Sequence, residues 1–511
     1  MSPDHASPSI DGVASPPRHP WFWLAVIWTA LGVWGIVDVY QRGKVDPVDA
    51  SLHKTDLTVY TEAGAAFFDG RQPYEVTNPR GWGYLYLPLF AMLLAPLHAL
   101  PGEWQVTVWF FISLAVLAGF YFECMRLARL AAGSRPAGDL FPPWLIRASV
   151  GAFALPAFNC LQRGQIGVLQ LYLMLLGLRV AIESGHRLRG QFVAGAILAA
   201  PIGLKLTPAL PVACYWFHRL CGAVVRREPS STAPDSRRWS LNLPRLFGVA
   251  AGGAGVCAGL ALWILVLPAL LIGWQANLER LDQWRALVGS KAGRQTYDRF
   301  AGDSYSVRNQ SLSNALHHLG NWAAYEFAGG PYDEPFENEG THIPEFVTDT
   351  LPFEIFIRAA QFGVMAVAVW LCWRGAQTDD IAWRIAAFGL ACVAMLIASP
   401  IARAHYFVSL IPATLFLPAA LLRVGRRSAA MWMAWIPFAL VMAHYALMRI
   451  VGRVGLLGIG ITIWFLCGSA LLASLVSSPA AKAGAADPNS LRPRLRERRS
   501  ELSGVAPRLT A

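Results

Sequence analysis

Long apolar runs separated by short polar stretches are the feature that most limits what this chain can fold into. The first, WFWLAVIWTALGVWGIV, begins at Trp21, and later runs reach the length of about 18–20 residues that a helix needs to cross ~30 Å of hydrocarbon. Of the 511 residues, 55% are hydrophobic and only 15% are charged, which is atypical of a water-soluble domain. The sequence therefore predicts an all-α integral membrane protein.

Twelve apolar runs are candidate spans. Eight of them are long enough by themselves, and four between residues 143 and 220 are shorter, so that they need little tilt or a local mismatch with the bilayer. The long runs lie near 21–39, 104–123, 246–273, 353–373, 381–400, 404–422, 428–448 and 455–477, and the short ones at 143–160, 166–182, 190–204 and 206–219.

One further run, YLYLPLFAMLLAPLHAL at 84–100, decides the orientation of much of the chain, and Pro88 and Pro96 interrupt it. If it crossed the membrane, the arginines between 126 and 189 would face outside, against the bias of Lys and Arg toward short cytoplasmic loops. If it enters the outer leaflet and returns, those arginines face the cytoplasm. We favour the second arrangement, whose non-helical backbone must be buried in protein or line a wet cavity.

The topology that results has about twelve spans, both termini inside and two large outer loops, 40–103 and 274–352. It separates a cytoplasmic N-terminus, 1–20, a membrane-embedded domain, 21–477, and a basic, disordered cytoplasmic tail, 478–511, which contacts membrane lipids or is solvated. The net charge of +11 resides largely in short loops, so no nucleic-acid partner is expected. The 8 cysteines form no CxxC pair, and we expect no metal ligands.

Five polar clusters fall on the outer face in this topology, whereas ordinary loop residues would be distributed over both faces. They are Asp56 in the first outer loop, RGQIG at 163–167, Lys205 between helix-breaking residues, RNQSL at 308–312, and SPIARAHYF at 399–407. Placing ionisable side chains within the membrane costs free energy, so the convergence of these clusters predicts a functional site.

A carboxylate that faces several cations suits the transfer of a sugar from a lipid-borne donor. Nucleotide sugars are absent outside the membrane, and the chain has neither a P-loop nor a GxGxxG motif followed by a βαβ pattern. A polyprenyl-phosphate sugar has a phosphate leaving group, on which cations stabilise the developing charge. The acceptor hydroxyl needs a general base, which a carboxylate supplies. The chain has no DxD motif, so no cofactor is expected, although a role for a divalent cation stays open.

Seven motifs in order resemble the membrane-embedded glycosyltransferases of the GT-C superfold, in particular glycosyltransferase family 87, whose members use polyprenyl-phosphate mannose or arabinofuranose. They are DLTVY (56–60), GRQPY (70–74), YLYLP (84–88), RGQ (163–165), KLTP (205–208), NQSL (309–312) and SPIARAHY (399–406). The chain departs from the family pattern at Leu87, where a second proline is usual, and near Ala402 and Arg403, where an aromatic residue is usual.

The resemblance implies a GT-C bundle and an inverting enzyme with Asp56 as the general base. Mannose is the expected sugar, with arabinofuranose as the alternative, and the acceptor is expected to be a glycolipid or glycan at the outer, periplasmic side of the inner (cytoplasmic) membrane. The residues expected to bind the donor phosphate or the substrate are Lys205, His405, Arg403, Arg163, Gln165, Asn309, Gln310, Tyr60 and Tyr86.

Each of these residues also has a structural interpretation. Asp56 could be no more than a helix cap, Lys205 could extend its amine to the membrane interface, and His405 could form a hydrogen bond to a backbone carbonyl. The RGQ segment could be simple turn chemistry, and the tyrosines could belong to an interfacial aromatic belt. Glu62 and Asp69, near Asp56, are interpreted as solvated residues.

A transporter or flippase of a lipid-linked sugar is the alternative function, because it too needs a cationic phosphate site. A transporter should, however, carry polar residues along a complete transmembrane path or show repeats with broken helices at the midplane. Here the polar residues collect at one end of the spans, and we therefore favour an enzyme.

Overall fold

A computed structural model describes residues 20–46, 48–224, 241–289, 308–328, 350–376 and 378–476. Within these residues the protein is helical, with two isolated β-bridges and no β-sheet. This confirms the predicted all-α class. The predicted cytoplasmic N-terminus, except Pro20, and the predicted disordered tail, 478–511, lie outside the described residues.

The apolar runs form helices whose limits agree with the hydropathy pattern to within a few residues, except that the run ending near 123 continues to Ala132. In chain order, the α-helices are α1 (Pro20–Gly43), α2 (Leu57–Phe68), α3 (Pro88–Leu94), α4 (Gly102–Ala132), α5 (Ala137–Leu140), α6 (Pro143–Gln162), α7 (Gly167–Ser184), α8 (Leu188–Leu204), α9 (Ala209–Val224), α10 (Leu243–Leu260), α11 (Leu267–Ile272), α12 (Trp274–Gly289), α13 (Leu312–Ala328), α14 (Leu351–Gly375), α15 (Ile381–Ala398), α16 (Ile411–Arg423), α17 (Arg427–Ala446), α18 (Met448–Val451) and α19 (Leu456–Leu475).

Nine helical segments in the described residues are long and apolar enough to cross a membrane. Two of them are composite: α10 continues into α11 through a π-helical turn, Ala261–Val266, and α16 is preceded by a 3₁₀ helix, Ala404–Leu410. Helix α8 is also apolar, but it has only 17 residues. The protein is thus a multi-pass membrane protein, and the count of about twelve spans stays a prediction.

The segment around Pro88 and Pro96 does not form a spanning helix. Helix α3 has 7 residues and continues into a 3₁₀ helix, Ala95–Ala99, which has 5. At about 1.5–2 Å per residue this bent segment is much shorter than ~30 Å of hydrocarbon. The chain then enters α4, and α2 packs against both parts of the bent segment. The expected interruption by proline is therefore observed.

The centre of the bundle is built from α15 and α16, which are largely buried and pack against each other. Their small residues bring the backbones together: a Cβ added at Gly389 would lie 2.6 Å from the amide nitrogen of Ala413. Without a hydrophobic driving force inside lipid, close packing of this kind holds helices together.

Helices α8 and α10 make another close contact through glycine. A Cβ at Gly255 would lie 2.0 Å from the carbonyl oxygen of Phe192, and one at Gly195 would lie 2.1 Å from that of Gly252. This packing fixes α8, and with it the end of α8 that carries Lys205.

The end of the bundle at which α6, α8 and α15 terminate is covered by the segments between the spans. Helices α2 and α3 belong to the segment between α1 and α4, called the first covering segment below, and α12 lies between α11 and α13. Contacts of α3 with α8, α11 and α12 join these pieces. The predicted loops 40–103 and 274–352 are therefore partly helical where they are described.

Candidate functional site

A cavity of about 380 Å³ lies where the turns of this end meet the covering segments. Its volume is in the range of sites for small molecules. Members of four of the five predicted clusters line it together with aromatic and apolar side chains, and the lining includes Asp56, Tyr60, Trp82, Tyr86, Gln165, Lys205, Thr207, Trp284, Val288, Arg403, His405 and Tyr406. Segments far apart in sequence thus form one site.

Asp56 lies at the N-terminal end of α2, but its carboxylate does not cap the helix. Its Oδ2 accepts a hydrogen bond from Gln165 Nε2 and lies 3.5 Å from Arg163 Nε. Among the described residues no hydrogen bond reaches Oδ1, and the residue is 9% exposed at the cavity wall. The Asp56 side chain therefore makes no helix-capping hydrogen bond and lies at the cavity wall instead.

The RGQ turn between α6 and α7 fixes this arrangement. The carbonyl oxygen of Arg163 accepts hydrogen bonds from the amide of Asp56 at 2.9 Å and from Thr55 Oγ1 at 3.2 Å. Gly164 has φ = +69°, and a Cβ there would lie 2.7 Å from the Cβ of Leu57. Glycine is required both by the backbone conformation and by the close approach of α2. The turn chemistry expected of RGQ is thus present, and it serves to place Asp56.

Lys205 directly follows the last residue of α8, and its backbone is extended, so the helix ends there. Its Nζ is 3.8 Å from the ring centroid of Tyr406 and 5.5 Å from that of Tyr86. In the described part of the chain no carboxylate pairs with it. Aromatic faces attract a cation but carry no net negative charge, so these contacts do not neutralise it as a carboxylate would.

Arg403 and His405 come from the turn between α15 and α16. Both line the cavity, and the ring of His405 lies 4.4 Å, centroid to centroid, from that of Tyr406. His405 is 1% exposed, and within the described ranges neither ring nitrogen has a hydrogen-bond partner. The expected alternative, a bond to a backbone carbonyl, is therefore not present. A buried imidazole without a partner is costly unless a ligand supplies one.

Asn309 and Gln310 are buried but lie behind the cavity wall. Asn309 pairs with Arg403 in an antiparallel bridge, and its Oδ1 accepts a hydrogen bond from the amide of Ala402 at 2.9 Å. The amide of Gln310 donates to the carbonyl oxygen of Ala402 at 2.8 Å. Their contacts hold the turn that carries Arg403 and His405.

Tyr60 and Tyr86 form an aromatic wall on the side of the first covering segment. Their hydroxyls are 3.4 Å apart, and their rings are inclined at 64° with centroids 5.3 Å apart. Burial raises the pKa of both phenols, and the charge of Asp56 raises that of Tyr60 further. Both phenols therefore stay protonated near neutral pH.

Comparison with known families identifies the kind of protein. A family model for glycosyltransferase family 87 matches residues 84–400, which is more than half of the chain. The chain belongs to glycosyltransferase family 87. No curated protein and no solved structure matches it. It is therefore a membrane glycosyltransferase, and the resemblance drawn from its motifs is confirmed.

The range matched to family 87 contains some of the site residues and not others. Tyr86, Arg163, Gln165 and Lys205 lie inside it, as do the supporting residues Asn309 and Gln310. Asp56, Tyr60, Arg403 and His405 lie outside it and belong to the site by their position at the cavity.

Two tryptophans of this family 87 site did not emerge from the sequence motifs. Trp82 lies between two cations, with its ring centroid 4.7 Å from Arg80 Cζ and 5.1 Å from Arg163 Cζ. Trp284 reaches the cavity from α12. In a chain with 20 tryptophans, the residue type carries little information, and only the spatial arrangement distinguishes these two.

The other carboxylates of the first covering segment do not line the cavity. Glu62 Oε1 accepts a hydrogen bond from Arg71 Nη1 at 2.6 Å, and Asp69, which ends α2, lies 3.1 Å from the same guanidinium. This agrees with their interpretation as residues of a solvated face. Among the described residues there is also no cluster of His, Cys, Asp or Glu that could hold a metal ion.

Proposed function

We propose that the protein transfers a sugar, mannose with arabinofuranose as the alternative, from a polyprenyl-phosphate donor to a glycolipid or glycan acceptor. The observation that carries the proposal is the orientation of Asp56. Asp56 stands at the position of a helix cap, but its carboxylate lies at a cavity that Lys205, Arg403 and His405 also line, and His405 has no hydrogen-bond partner among the described residues.

Asp56 acts as the general base in this proposal. Its Oδ2 is oriented by Gln165 and Arg163, so Oδ1 is the atom that accepts the proton of the acceptor hydroxyl. The acceptor oxygen then forms a bond to the anomeric carbon while the bond from that carbon to the phosphate oxygen breaks. Attack from the side opposite the leaving group inverts the configuration at the anomeric carbon.

The leaving phosphate takes the electron pair of the broken bond, and the cavity supplies the positive charge to receive it. Among the described residues that line the cavity, Lys205 and Arg403 are cations and Asp56 is a carboxylate, which Arg163 pairs. Preorganised positive charges of this kind stabilise the charge that develops on a leaving phosphate. His405 supplies a hydrogen bond to a phosphate oxygen and thereby acquires the partner it lacks.

A carrier for lipid-linked sugars is less well supported. The central helices α15 and α16 are apolar and closely packed over most of their length. A polar path through the described bundle, which a carrier needs, is not formed there. The orientation with the cavity at the outer face of the inner membrane follows from the arginine bias of the sequence, and it is part of the proposal.

Reconstitution tests the proposal. The purified chain in proteoliposomes is given radiolabelled polyprenyl-phosphate mannose or polyprenyl-phosphate arabinose together with membrane acceptors. We expect label to pass to a glycolipid or glycan with one of the two donors. Label that stays on the donor with both, in a preparation that is folded by its thermal unfolding profile, contradicts the proposed donor class.

A further inference from the structure

Helix α12 lies against the first covering segment and reaches the cavity. It begins after Gly273, whose φ of +90° turns the chain out of α11. Arg280 Nη1 donates a hydrogen bond to Gln72 Oε1 at 2.6 Å, and its Nη2 donates to the carbonyl oxygen of Arg71 at 3.3 Å. The indole Nε1 of Trp284 donates to the carbonyl oxygen of Leu85 at 3.2 Å.

One face of α12 makes these contacts, because residues four apart on a helix lie on the same side. Arg280, Trp284 and Val288 follow this spacing, and the last two line the cavity. Outside this contact face, the side chain of Arg285 is 81% exposed and, among the described residues, pairs with Asp282 of the same helix. The two faces are therefore distinct in what they contact.

Because its indole N–H donates to Leu85, the Trp284 side chain can contact a ligand only through its apolar ring surface. Its only polar atom already has a partner, so the ring offers an apolar aromatic surface to the cavity. Trp284 is half-buried and does not belong to the fully packed core. Uncovered apolar surface at the wall of a polar site is suited to the C–H face of a sugar ring, which carries no hydroxyl.

We propose that Trp284 contacts a sugar ring in the site and thereby contributes to sugar specificity, and that Arg280 is a positioning residue that holds α12 against the first covering segment. This inference rests on the proposed function. The ring that stacks on Trp284 belongs either to the donor or to the acceptor, and the chemistry of recognition is the same for both.

Kinetics with two varied substrates tests the inference and separates the two sources. In proteoliposomes, the KM for polyprenyl-phosphate mannose (or arabinose, whichever wild type uses) is measured at fixed acceptor vesicles. The KM for the acceptor vesicles is then measured at fixed donor. Trp284→Ala should raise one of the two KM values about tenfold while kcat changes less than about threefold. The KM that rises identifies the sugar that meets the ring.

Further variants separate contact from a general structural role. Trp284→Phe keeps an aromatic face and should stay within about threefold of wild type, whereas Trp284→Leu keeps apolar bulk without the face and should resemble Trp284→Ala. This pair decides the matter even if Trp284→Ala does not fold. Arg280→Ala should raise the same KM as Trp284→Ala, by a smaller factor and without adding to it in the double variant. Arg285→Ala, on the exposed face, is the matched control and should leave both KM values unchanged.

The inference is overturned if wild type transfers sugar but folded Trp284→Leu has unchanged KM values. It is also overturned if Trp284→Phe and Trp284→Leu change the KM values equally. If wild type transfers sugar from neither lipid donor, the proposed function fails, and the inference fails with it.

Discussion

Whether a carboxylate at a helix N-terminus serves the helix or a binding site depends on where its oxygens point. At Asp56 the sequence leaves both possibilities open, since aspartate is a favoured cap. The structure separates them, because the partners of Oδ2 come from a turn more than a hundred residues later in the chain.

At Lys205 and His405 the account predicts a loss of donor recognition without a loss of fold. In the proposed mechanism, Lys205→Ala and His405→Ala each remove one polar contact with the leaving phosphate. Losing such a contact typically costs about 2–4 kcal/mol, so transfer should fall by roughly tenfold to several hundredfold, with a raised KM for the donor. Transfer is measured with labelled lipid donor over a range of concentrations.

The exposed Arg71 serves as the control for this prediction, since its guanidinium pairs with Glu62 and Asp69 outside the cavity. Arg71→Ala should keep donor dependence near that of wild type. Normal donor dependence in both Lys205→Ala and His405→Ala would remove these side chains from the phosphate site.

The sequence predicted several of the residues that line the cavity, but it could not predict which residues form the wall and which support it from behind. Asp56, Gln165, Lys205 and His405 line one cavity, as their clustering indicated. Asn309, by contrast, supports the turn from behind through backbone contacts, which no spacing pattern reveals.

At the scale of single elements, the positions of the spanning helices were predictable because hydrophobic length fixes them. The short covering helices were not. The segment Trp274–Gly289 is too polar to show a membrane signal, and its place is set by Arg280 and Trp284 bonding to a distant segment. Tertiary contacts of this kind are invisible in a local pattern.

Close packing of α8 against α10 gives a prediction for stability. A Cβ at Gly255 would lie 2.0 Å from the carbonyl oxygen of Phe192, so Gly255→Ala must separate the two helices. Overpacking of this kind costs about 1–3 kcal/mol, and the midpoint of thermal unfolding in detergent should fall. Gly253→Ala is the matched control two residues away, because a Cβ there meets nothing within 4 Å. Equal midpoints for the two variants would contradict the packing argument.

For the whole molecule, the arginine distribution predicts on which side of the membrane the cavity lies. In a variant whose native cysteines are replaced, a cysteine at Leu97 or at Arg285 should react with an impermeant thiol reagent added outside intact cells. A cysteine at Gly133, at the other end of α4, should react only after the membrane is opened. Labelling of the Gly133 position from outside would show that the orientation is the reverse, with the cavity on the cytoplasmic side of the membrane.

The helical bundle determines where the cavity lies, and the proposed base, Asp56, determines the chemistry that the cavity can support. The turn at Gly164, the glycine-packed α8 and the α15–α16 turn together bring Asp56 opposite the cations. The apolar helices thus form the frame, and the polar residues that line the cavity lie mostly in the segments that join these helices at one end.

Transfer by Asp56→Asn is the most direct test of this account. Asparagine keeps the shape and the acceptor atom for Gln165, but it cannot take a proton at neutral pH. Transfer from the labelled lipid donor should therefore fall by roughly 10²–10⁴-fold while donor binding stays near that of wild type. Glu62→Gln, in the same helix but outside the cavity, should have a mild effect. Near-normal turnover by Asp56→Asn would contradict the central claim, because asparagine cannot act as a general base.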